Sequence, residues 1–204
     1  MTRRQQVIRA LGIGFAAFSV GALDSLIKGQ GLGILGALSE TVVPWFLLAF
    51  LAGAYTKERR FVLGTIAGFE ATMFALVGFY FVNSLLFTFG ASTWIGDFHL
   101  ALLSGKVYFE LGVVSGPLMG ALGVWWKQKL SVIPVVAIGA AFLLEALARS
   151  LEANSFFQYG HQVGAIECFV GVLWIVLAVY VTALLRRKFG PRGARSREEG
   201  VLQS

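Results

Sequence analysis

Residues Phe61–Asn83 read FVLGTIAGFEATMFALVGFYFVN. At ~1.5 Å per helical residue, this stretch is long enough to cross a hydrocarbon core of ~30 Å. Its one charged side chain is Glu70, close to the middle. Lys57, Arg59 and Arg60 stand just before it. An apolar run with a basic flank is the signature of a membrane span, and a carboxylate inside one needs a reason.

The rest of the chain repeats the pattern. Of its 204 residues, 57% are apolar and only 14% are charged, with a mean hydropathy of +0.75. Soluble domains average about 25% charged. Six segments are predicted as transmembrane helices: Val7–Ile27, Thr41–Tyr55, Phe61–Asn83, Gly105–Trp126, Val132–Ser150 and Gln162–Leu185. The second is short, and residues 31–38 are read as a partial or re-entrant helix beside it. The expected fold is all-α, a polytopic six-helix transmembrane bundle over residues 1–185. Residues 186–204 are basic, rich in Gly and Ser, and expected to form a disordered cytoplasmic tail.

Charge orients the bundle. All but Lys28, Lys106 and Arg149 of the 17 Lys and Arg fall on one side of these spans. The positive-inside rule then places both termini in the cytoplasm and the chain in a cell membrane as a multi-pass protein. The basic excess is explained by topology, so no nucleic-acid partner is expected. Residues 1–28 also have the outline of a signal peptide, but the apolar stretch exceeds the usual ~7–15 residues of a signal core. A retained first helix also keeps the charge alternation intact.

Several motifs carry little chemistry. Cys168 is the one cysteine, so no intrachain disulfide is possible. His99 and His161 have no second His or Cys at ligand spacing, so neither metal nor cofactor is implied. Gly31, Gly33 and Gly36 match a dinucleotide fingerprint without the surrounding βαβ unit. Gly112, Gly116 and Gly120 recur every four residues and are read as structural packing, a face for close helix approach. Pro117 predicts a kink. Trp45, Trp94, Trp125 and Trp126 fall near span ends, where aromatic side chains anchor at the interface.

Five acids lie within the predicted spans. Glu70 is near mid-membrane. Glu110, Glu145 and Glu167 fall roughly 6–9 Å outward of their span centres, and Asp24 joins them. Lys106 with Glu110, and Glu145 with Arg149, have the i,i+4 spacing of helix ion pairs. Glu152 can reach the same arginine. Glu70 and Glu167 have no basic residue in reach on their own helix. Glu70 is either a protonated hydrogen-bond donor or a proton-relay residue. An outward cleft lined by Asp24, Glu110, Glu145 and Glu167, with Trp45, Tyr80 and Tyr108, would suit a cationic or hydrogen-bonding small molecule.

Some stretches resemble an uncharacterised family of small bacterial polytopic membrane proteins. These are Pro44-Trp-Phe-Leu-Leu-Ala-Phe-Leu-Ala-Gly53, Gly78-Phe-Tyr80, Ser115-Gly-Pro-Leu-Met-Gly-Ala-Leu-Gly123 before Trp125-Trp126, Glu145-Ala146 and the Glu167 region. The resemblance implies a six-helix protein of a bacterial inner membrane and carries no activity. In architecture alone, the chain is also similar to substrate-binding subunits of energy-coupling-factor transporters.

Three functions follow as expectations. The first is small-molecule binding or transport through the outer acidic pocket, with any energising subunit separate, since no nucleotide motif is present. The second is a non-catalytic assembly or regulatory subunit docked to a membrane partner. The third and weakest is an intramembrane enzyme. Ser115 lies near mid-membrane and His161 near the outer surface, roughly 15 Å apart in depth and too far for a nucleophile and its base. No enzymatic activity is expected.

Overall fold

In the computed structural model, which describes residues 3–29, 41, 43–56, 60–152 and 160–189, every regular element is an α-helix. In chain order these are α1 (Arg3–Gly29), α2 (Val43–Ala54), α3 (Phe61–Leu86), α4 (Trp94–Ser104), α5 (Lys106–Lys129), α6 (Ile133–Glu152) and α7 (Gly160–Phe189). Lipid offers no partner to a backbone N–H or C=O, so apolar stretches of this length satisfy both internally, as helix. Four helices hold stretches long and apolar enough to cross a membrane: Val7–Lys28, Phe61–Leu86, Lys106–Lys129 and Gly164–Lys188. α2 and α6 carry shorter apolar runs, Pro44–Ala54 and Ile133–Ala148. The surface is equally apolar. Phe15, Val114 and Phe169 are 75%, 69% and 67% exposed, as suits lipid rather than water.

α3 is the hub, packed against α1, α2, α4 and α5. It can be so because its contact faces are small. Ala67, Ala71 and Ala75 of α3 form one core with Ala17 of α1 and Ala52 of α2. Toward α5, a Cβ added at Gly68 would strike the carbonyl oxygen of Gly116, and one at Gly120 would strike that of Gly64. The two backbones are therefore in direct contact, the close approach that small residues permit. Gly112, Gly116 and Gly120 are all buried along this seam. Pro117 lies within α5, whose helical run continues past it to Lys129.

α4 has no counterpart among the six expected segments. Its 11 residues are capped by Thr93, whose side chain accepts from Gly96 N. Buried Asp97 turns back to the loop before the helix, where Oδ1 accepts from Phe89 N and Ala91 N, both at 2.9 Å. Trp94 stacks on Phe98, and both rings meet Phe81 of α3 edge-on. Gly105 then joins α4 to α5, and a side chain there would collide with the Tyr80 ring.

α6 and α7 pack chiefly on each other. Trp174 Nε1 of α7 donates to the Val135 carbonyl at 2.9 Å. Trp126 Nε1 of α5 donates to Thr182 Oγ1 of α7 at 3.0 Å, which ties this hairpin to the bundle. α7 continues beyond Leu185 through Arg186, Arg187 and Lys188 to Phe189.

Basic side chains gather helix ends at one end of the bundle. Lys127 Nζ donates to the Thr56 carbonyl at 2.7 Å, just past the end of α2. Arg186 Nε donates to the carbonyl of Leu130, a residue in the left-handed region between α5 and α6, at 2.6 Å. The Arg9 guanidinium of α1 lies 5.3 Å from the centre of the Tyr55 ring, also past the end of α2. Residues 31–38, expected as re-entrant, lie outside the described residues, as do residues 190–204 of the expected tail.

Candidate functional site

α1 and α2 both lean on α3 but scarcely touch each other. Between them lies a cleft of about 860 Å³. One wall is the α1 face that carries Gln5, Arg9, Gly12, Ile13, Ala16 and Ala17. These residues recur at three- and four-residue intervals, so they share one side of the helix. Leu48, Leu51, Ala52 and Tyr55 form the other wall, and Ala71 of α3 the floor. The space exists because small residues line it. A Cβ added at Gly12 would meet nothing within 4 Å.

The cleft has a polar end and an apolar length. Among the described residues, Arg9 is its one charged lining residue. Two of its nitrogens, Nε and Nη2, are buried with no hydrogen-bond partner among the described residues. Its charge also acts on Glu70 across the α1–α3 seam. The cation whose charge is felt at Glu70 stands on another helix, which the sequence of α3 alone could not reveal. From Arg9 to Ala17 the wall runs ~12 Å along α1. This geometry suits an amphiphile, with an anionic or hydrogen-bond-accepting group at Arg9 and an apolar part beyond it.

The acids read from the sequence sit elsewhere. Asp24 is half-buried on α1, with Oδ2 covered and lacking a hydrogen-bond partner among the described residues. Lys28, one turn on, acts on it through charge and holds its ammonium 5.8 Å from the Phe79 ring centre. Glu110 is exposed on α5, and its Oε1 pairs with Lys106 Nζ at 3.6 Å. Glu145 of α6 is half-buried and Glu167 of α7 is buried, and each interacts with a neighbour. The side chains of Arg149 and Glu152 lie outside the described residues.

Trp45 packs edge-on against Phe79, and Phe79 against Tyr80. The Tyr80 ring also meets Phe109 at 5.7 Å, while Tyr108 is exposed. So Trp45, Tyr80 and Lys28 come together around Phe79. Glu145 and Glu167 belong to the separate α6–α7 pair. None of the acids, Trp45, Tyr80 or Tyr108 lines the α1–α2 cleft.

Sequence reasoning passes over Arg9, Gln5 and Tyr55. Arg9 counts there only as part of the basic flank of the first span. The available signal is its place two residues inside Val7–Ile27, on the same face as Gly12 and Ala16.

Fold, surface and cleft define a class, an all-helical membrane protein with a lateral pocket between two helices. Residues 1–189 match the family of unknown function DUF6518, and the chain belongs to that family. No curated protein and no solved structure matches it.

Proposed function

We propose that the chain is a six-span membrane protein that binds a small amphiphile in the α1–α2 cleft without acting on it chemically. Both termini lie in the cytoplasm, so the Arg9 end of the cleft faces the inner leaflet. The distribution of Lys and Arg supports this orientation, since the bound basic ends of the helices share one side. The observation that carries the binding reading is that Nε and Nη2 of Arg9, at the mouth of an apolar cleft, are covered and have no hydrogen-bond partner among the described residues. A charge inside a span is costly and calls for a partner.

The test uses the full chain in mild detergent, titrated with single-chain amphiphiles of increasing length. At Gly12 an added Cβ meets nothing within 4 Å, so Gly12→Phe should place its ring in the cleft without a clash at the backbone. Thermal stabilisation should rise with chain length in the wild type and vanish in Gly12→Phe. Equal stabilisation of both proteins would reject the cleft as the site.

The second reading keeps an outward site for a cationic small molecule, which the chain would bind or transport. The covered Oδ2 of Asp24, which lacks a hydrogen-bond partner among the described residues, favours it. Asp24 lies ~22 Å along α1 from Arg9, so the two sites are separable. Stabilisation by an organic cation that Asp24→Asn removes and Gly12→Phe spares would support this reading.

A further inference from the structure

We propose that the occupant of the α1–α2 cleft is an anionic phospholipid of the inner leaflet, with its phosphate on Arg9 and one acyl chain along α1 toward Ala17. This rests on the amphiphile reading above and adds the chemical class. Three observations carry it.

The first is charge. Among the described residues, Arg9 is the one charged residue on the cleft wall, and no carboxylate lines it. A guanidinium presents a planar fork that matches phosphate oxygens two at a time. An arginine near a span end ordinarily snorkels its head into water. Here Nε and Nη2 are covered by protein and lack an acceptor among the described residues. A turn of the Arg9 side chain toward the cleft it lines would offer these nitrogens to a phosphate there, which supplies that acceptor. Tyr55 closes the same end from α2.

The second is shape. The apolar part of the wall runs ~12 Å past Arg9, over Ile13, Ala16, Leu48 and Ala52. A free phosphate would leave that length uncovered. A transmembrane helix is ~10 Å across and would lay only one face against a cleft between two helices. An acyl chain is thin enough to enter.

The third is position. Arg9 lies two residues into the span Val7–Lys28, on the side where the basic helix ends collect. Two residues are ~3 Å of helix, short enough for a long side chain to meet the phosphates of the leaflet where anionic lipid attracts basic residues. The charge of Arg9 is also felt at Glu70 across the seam, and Glu70→Gln removes that carboxyl from the balance.

The experiment is native mass spectrometry of the full chain, with phosphatidylglycerol, diacylglycerol of the same chains, and inorganic phosphate as probes. Phosphatidylglycerol should bind about tenfold more tightly than diacylglycerol, the scale of one charge-assisted contact. Inorganic phosphate alone should not bind. Arg9→Gln should bring phosphatidylglycerol down to the diacylglycerol level, Arg9→Lys should give a partial loss, and Glu70→Gln should hold or raise the affinity. Gly12→Phe should remove both lipids.

If Arg9→Gln and Arg9→Lys bind phosphatidylglycerol like the wild type while Gly12→Phe does not, the phospholipid assignment fails and the cleft reading stands. If Gly12→Phe changes nothing, the cleft reading itself fails. Binding of inorganic phosphate as tight as that of lipid would overturn the lipid source. A dimer that excludes lipid and falls apart on Gly12→Phe would make the occupant a second copy and overturn the proposal.

Discussion

The Arg9 guanidinium stands 5.3 Å from the centre of the Tyr55 ring, joining the start of α1 to the end of α2 across the cleft that otherwise separates them. Cation–π contacts contribute about 0.5–1 kcal/mol when exposed and about 2 or more when desolvated. Tyr55→Ala should therefore lower stability by about 1–2 kcal/mol. Tyr55→Phe keeps the ring and should stay within about 0.5 kcal/mol of wild type. Thermal unfolding in detergent reads both. A Tyr55→Phe loss as large as that of Tyr55→Ala would assign the contact to the hydroxyl instead.

Glycines on two faces should respond in opposite ways. Gly68→Ala and Gly120→Ala force a Cβ into backbone carbonyls across the α3–α5 seam. Overpacking of this kind costs about 1–3 kcal/mol. Gly12→Ala meets open space. It should be neutral or stabilising by up to about 1 kcal/mol, from helix propensity alone. Melting temperatures of the three variants, measured side by side, decide the matter.

Asp97 accepts two backbone N–H groups from the loop between α3 and α4. Asp97→Ala should cost about 2–4 kcal/mol, since hydrogen bonds to a charged group contribute about 1.5–3 kcal/mol each and do not add fully. Asp97→Asn keeps one acceptor oxygen and should recover part of the loss. Limited proteolysis should cut first near residues 88–93 in the alanine variant.

Orientation is tested with an impermeant maleimide on intact cells, in a Cys168→Ser background because Cys168 is exposed. Ser92→Cys, in the loop before α4, should label from outside. Lys129→Cys, at the end of α5, should label only after the membrane is opened. The reverse pattern would place both termini outside and turn the cleft toward the outer leaflet.

Hydropathy and charge marked six of the described helices, four of which are long and apolar enough to cross a membrane. α4 escaped this reading. Its order comes from Asp97 reaching back to Phe89 and Ala91 and from Trp94 stacking on Phe98, which are contacts rather than composition. The acids within the spans were legible as expensive residues, but their directions were not. Glu110 turns to the surface with Lys106, while the cation acting on Glu70 comes from α1. The cleft was hidden for the same reason. It depends on α1 and α2 parting as they lean on α3, and no single helix encodes that angle.

The most direct test of an occupied α1–α2 cleft is photocrosslinking in reconstituted membranes, with a photoactivatable group on the acyl chain of an anionic phospholipid. Adducts mapped by peptide mass spectrometry should concentrate on residues 12–17 and 48–52 and fall away in Gly12→Phe. Adducts spread over lipid-facing residues such as Phe169 and Val176, at the same level in both proteins, would contradict it.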